Sequence, residues 1–113
     1  MKKTFVTISS IIALSAIASA PTFAKEMTGK EIAFDRKLGN CLACHMISGG
    51  ELNGNIAPPL IAMKARFPDK AKLRAQIWDA TVANPDSIMI PFGRHGIMSE
   101  KQIDKVTDFI YSL

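Results

Sequence analysis

The chain has 113 residues, 14 Lys+Arg against 10 Asp+Glu, a formal net charge of +4 and two cysteines. A chain of this length holds one small domain, whose modest core calls for a staple such as a metal, a disulfide or a cofactor. The slight basic excess excludes the strongly charged profile of a nucleic-acid or membrane-surface binder.

The N-terminal residues read as a secretory signal peptide. Lys2 and Lys3 give a basic start, residues 5–17 are mostly apolar, and small residues lead to Thr22-Phe23-Ala24; this is the tripartite pattern of a cleaved leader. The apolar run is too short and too rich in serine for a membrane span, which needs ~20 apolar residues. Cleavage after Ala24 leaves residues 25–113 as a single domain, with 12 Lys+Arg against 10 Asp+Glu once Lys2 and Lys3 are gone. Such a leader takes the chain out of the cytoplasm.

Thr28-Gly-Lys-Glu31 is a capping box, in which Thr28 and Glu31 each accept from the other's backbone N–H. It predicts a helix through Ile32, Ala33, Phe34 and Leu38 that stops near Gly39-Asn40. Cys41-Leu-Ala-Cys44-His45 follows at once. Residues 46–59 carry three glycines, two asparagines and two prolines without a sustained period, and read as loop. One or two helical turns are expected over residues 60–65. Asp69 then caps a helix over residues 70–82, with Leu73, Ile77, Ala80 and Thr81 on one face. Asn84-Pro85 stops it. Residues 86–96 form a second loop. Ser99-Glu-Lys-Gln102 is another capping box, opening a last helix with Ile103, Val106, Ile110 and Leu113 on one side. The fold class is all-α: three main helices joined by two long loops. Loops of that length in so small a domain need something to wrap around.

Four chemistries compete for Cys41 and Cys44. A disulfide between them closes too short a loop to stabilise much. A redox dithiol belongs beside a βαβ pattern, which is absent. Structural zinc wants four ligands, and Cys41, Cys44, His45 and His95 are the only Cys and His residues of the chain. Adjacent Cys44 and His45 are awkward as two corners of one tetrahedron. Cys-x-x-Cys-His is the attachment pattern of a c-type haem. Two thioethers fix the ring edge to one turn of backbone, and His45 follows as the proximal iron ligand. One covalent haem c also supplies the filling that the loops require.

The second axial ligand is read as Met89, in the loop Ser87-Ile-Met-Ile-Pro-Phe-Gly93, with Met98 next and His95 third. Met46 lies too close to His45, Met27 precedes the first helix, and Met63 reads as core filler. Metal-bound histidine donates its other ring N–H to a carbonyl or carboxylate, and Pro58, in the rigid Ala57-Pro58-Pro59-Leu60, offers that carbonyl. Arg66, Arg74 and Trp78 are further residues able to contact haem propionates.

Cys41-x-x-Cys44-His45, Ala57-Pro58-x-Leu60 and a loop Met89-x-Pro91-Phe92 before a last amphipathic helix resemble class I cytochromes c. More narrowly, the loop Asn84-Pro85…Ile88-Met89 followed by Pro91-Phe92-Gly93 resembles the SoxX family, the monohaem subunits of SoxXA complexes. One departure is Ile90, where the resemblance implies a proline. The resemblance implies a periplasmic electron-transfer subunit of an L-cysteine S-thiosulfotransferase in sulfur oxidation. Its implied partners are a SoxA-type dihaem cytochrome bearing the catalytic cysteine, a SoxYZ-type carrier that receives thiosulfate, and a soluble cytochrome c as electron acceptor. The alternative is a stand-alone class I cytochrome c shuttle.

Overall fold

The computed structural model describes residues 24–113. The leader expected over residues 1–24 lies, apart from Ala24, outside them. Four helices follow in order: α1 (Gly29–Phe34), α2 (Met63–Arg66), α3 (Lys70–Trp78) and α4 (Glu100–Tyr111), with single 3₁₀ turns at Cys41–Ala43 and Ala80–Val82. No strand occurs among the described residues, and none of their helices is long and apolar enough to cross a membrane. The architecture is all-α.

Both capping boxes form. Thr28 Oγ1 accepts from the Glu31 N–H at 3.2 Å and Glu31 Oε2 from the Thr28 N–H at 2.7 Å; Ser99 and Gln102 repeat the exchange at 3.2 and 2.8 Å. Each pair satisfies two N–H groups that a helix start leaves without partners.

Three boundaries differ from the sequence-based expectation. The first helix stops at Phe34 instead of running to Leu38. Asp35 adopts an extended backbone and its carboxylate takes the Lys37 N–H at 2.7 Å, a local bond that competes with helix continuation. The expected turn over residues 60–65 sits at Met63–Arg66. The third helix ends at Trp78, not Val82, because Asp79 is extended (φ −159°, ψ 95°) and caps a separate 3₁₀ turn through the Thr81 N–H at 3.0 Å.

The core forms where α1 crosses α4. Ile32 and Ala33 of α1 meet Ile103, Val106 and Ile110 of α4, and Leu73 and Ile77 of α3 complete the cluster. Gly29 makes the crossing close: a Cβ there would lie 2.0 Å from the Lys105 carbonyl oxygen. Phe34 and Phe109 meet edge to face at 5.8 Å and 82°, a favoured aromatic geometry. Lys105 Nζ donates to the Met27 carbonyl at 2.9 Å, tying the entry of α1 to α4. Across α3 and α4, Lys70 pairs with Asp108 at 2.5 Å and Arg74 with Asp104 at 2.6 Å. Such solvent-facing pairs contribute about 0–1 kcal/mol each, so apolar burial holds this packing together.

Candidate functional site

Asn40 brings the chain out of α1 in a left-handed conformation (φ 47°) and aims it into the 3₁₀ turn Cys41–Ala43. The Cys41 carbonyl accepts from the Cys44 and His45 N–H groups at 3.3 and 2.9 Å. Both cysteines and His45 thus belong to one compact turn.

The following loop is built on that turn. The Gly54 N–H donates to the Leu42 carbonyl at 2.7 Å, Ala57 to Cys44 at 3.0 Å and Leu60 to Met46 at 2.9 Å. Asn53 supports it from within, accepting from the Ile47 N–H at 2.8 Å and donating to the Gly50 carbonyl at 3.0 Å. The loop carries Pro58 to the imidazole, with His45 Nδ1 2.7 Å from the Pro58 carbonyl oxygen. A carbonyl only accepts, so in the neutral imidazole Nδ1 carries the proton and Nε2 keeps a free lone pair. That is the tautomer a metal requires. Arg66 Nη1 donates to the next carbonyl, that of Pro59, at 2.6 Å.

These residues face a cavity of about 480 Å³. Cys41, Cys44, His45 and Pro58 line it together with Leu60, Leu73, Ile77 and Phe92. Burial pushes the Cys41 thiol up to about 11, so in the free chain it is a neutral thiol at ordinary pH. Three methionines reach the same cavity: Met63, Met89 and Met98. Met63 is 2% exposed and its sulfur accepts from Arg66 at 3.5 Å; Met98 is also 2% exposed and belongs to the core. Met89 is half-buried in the loop after α3. His95 is exposed and lies outside the lining.

Of the residues read as propionate contacts, only Arg66 lines the cavity. Arg74 turns to Asp104 and Glu100 of α4 and stacks over Trp78 at 5.6 Å, while Trp78 faces away. Gln76, absent from the sequence reading, reaches the cavity as well. Its signal is spacing, one residue before the buried Ile77. Among the described residues, no cluster of three or more His, Cys, Asp or Glu side chains is placed to hold a bare metal ion.

The donor set fits a covalent haem. Two thiols share one turn, an imidazole is held with its metal-binding nitrogen free, and an apolar cavity with a half-buried thioether adjoins them. The chain matches the Cytochrome c family over residues 26–113. No curated protein matches it significantly. The cofactor is haem c, with Cys41, Cys44 and His45 as its Cys-x-x-Cys-His motif. Four helices, no strand among the described residues, and this family match make the chain a class I member of the cytochrome c family and a haem c electron-transfer protein.

Proposed function

We propose that the chain is the monohaem, SoxX-like subunit of a periplasmic SoxXA-type L-cysteine S-thiosulfotransferase, with His45 and Met89 as axial ligands of its iron. Haem iron, when bound, supplies a one-electron carrier. The observation that carries the ligand reading is the gathering of His45 and a half-buried loop methionine on one apolar cavity. Of the methionines there, Met89 alone is neither locked in the core nor engaged through its sulfur. Iron held by His45 and Met89 would have no open position for substrate, which suits electron transfer, and methionine would raise its potential.

The assignment to sulfur oxidation rests on the loop resemblance and on cysteine economy. Joining thiosulfate to a carrier thiol forms a sulfur–sulfur bond and releases one proton and two electrons. Both cysteines of this chain serve as haem anchors, so the bond-making thiol belongs to a partner. The role left to this chain is to pass the electrons, one at a time, from a SoxA-type dihaem subunit to a soluble cytochrome c.

Two measurements test the proposal. The ferric holoprotein is expected to show the weak red-end absorption band of methionine-ligated iron, and Met89→Ala to lose it; a Met89→Ala protein that keeps the band refutes the ligand. Isolated from its source, the protein is expected to co-purify with a dihaem cytochrome. A strictly monomeric protein favours the stand-alone shuttle instead.

A further inference from the structure

Met89 sits four residues before Gly93, in a loop that leaves α3 at Trp78 and comes back to it at Gly93. On the outgoing side, the Asp79 carboxylate accepts from the Thr81 N–H at 3.0 Å and from its hydroxyl at 2.5 Å. On the returning side, Arg94 Nη1 donates to the other carboxylate oxygen at 2.9 Å. The Gly93 and Arg94 N–H groups donate to the Trp78 carbonyl at 3.1 and 3.4 Å. Gly93 is pressed against the indole, since a Cβ there would lie 2.0 Å from Cε3.

Between these ties Phe92 enters the core and Met89 packs against it, and the hydrogen bonds of the loop are all local. Ser87 donates to the Asn84 carbonyl, Asp86 to the Asn84 side chain and Met89 to the Ser87 hydroxyl. Among the described residues, no hydrogen bond reaches beyond the loop to hold Met89, so its position depends on that packing and on the two fastened ends. Asp79 is 5% exposed, although it does not line the cavity. A buried carboxylate persists only with partners, and its side-chain partners all belong to the two ends of this loop.

We propose that Asp79 is a positioning residue for the distal ligand: with Arg94 it staples the ends of the Met89 loop and so sets how firmly Met89 stays on iron. The proposal rests on Met89 being the ligand. Imidazole added to the ferric holoprotein is the probe, because it competes with methionine and its apparent affinity rises with the fraction of protein whose methionine is detached. Asp79→Asn and Arg94→Ala are each expected to lower the half-displacing imidazole concentration roughly tenfold and to weaken the red-end band. Arg94→Lys, which keeps the charge and a donor, recovers most of the parent behaviour. Ile103→Val, buried in the α1–α4 core and not lining the cavity, lowers the thermal midpoint without moving the imidazole midpoint. Should Asp79→Asn not fold, Arg94→Ala carries the test, since that side chain is 56% exposed. Parent-like imidazole midpoints in both variants, or an equal shift in Ile103→Val, overturn the staple and leave Met89 as ligand. A parent without the red-end band, or a Met89→Ala protein that keeps it, overturns both.

Discussion

The Thr81 hydroxyl, its backbone N–H and the nearby Arg94 hold the Asp79 carboxyl below its ordinary value, against the opposing effect of burial. A carboxyl whose folded value is depressed stabilises the fold above its unfolded value and loses that contribution as pH falls through the folded one. Arg94 is the charged side chain in contact with it. The parent protein is therefore expected to exceed Asp79→Asn in thermal midpoint at neutral pH, with the gap closing below about pH 4. Melting both proteins from pH 2 to 7 checks this; a gap that persists unchanged in acid assigns the effect to packing instead. At this scale, Cys41, Cys44 and His45 are readable from the chain because their chemistry is contiguous. Asp79 is not, because its meaning lies in Arg94, 15 positions on. The Pro58 carbonyl is an intermediate case: rigid backbone near a histidine suggests an acceptor, and the structure places the two at 2.7 Å.

Helix ends divide the same way. The capping boxes at Thr28 and Ser99 are local patterns, and both starts follow from them. The stops at Phe34 and Trp78 depend on aspartates whose carboxylates turn back onto later backbone N–H groups, and apolar periodicity carries no trace of that choice. The crossing of α1 and α4 is likewise hidden in one small residue. Gly29→Ala is expected to cost about 1–3 kcal/mol, the usual penalty of overpacking, because the new methyl group meets the Lys105 carbonyl, a backbone atom without a rotamer to yield. Denaturant unfolding of the holoprotein measures it. A change under about 0.5 kcal/mol, the ordinary range of surface substitutions, would show that the crossing gives way freely.

For the whole molecule, the cavity of about 480 Å³ is the main fact. Leu73, Ile77, Phe92, Val106 and Ile110 belong both to its lining and to the core, so one set of side chains packs the helices and receives the cofactor. Haem contributes stability by binding the folded state. A Cys41→Ala/Cys44→Ala chain made without haem is expected to keep much of its far-ultraviolet helix signal. It should lose near-ultraviolet tertiary signal and bind a hydrophobic dye, the marks of a loosely packed state. Retained near-ultraviolet signal would mean that the helices pack without the cofactor. The need for a filling was readable from two long loops in a small domain. The way the loop around Pro58 is laid over the Cys41–Ala43 turn was not, since it depends on pairings such as Gly54 with Leu42 and Ala57 with Cys44.

The close crossing of α1 and α4 also puts an order on events in time. Ile32 and Ala33 have no facing surface until Ile103, Val106 and Ile110 exist, and the bond from Lys105 to Met27 joins positions 78 apart. Synthesis runs from the first helix to the last, so the core closes only when nearly the whole chain has emerged. Cys41 and Cys44 appear early in that interval, before Val106 and Ile110, which line the same cavity. The same crossing that seals the finished protein thus leaves both thiols uncovered until α4 has emerged.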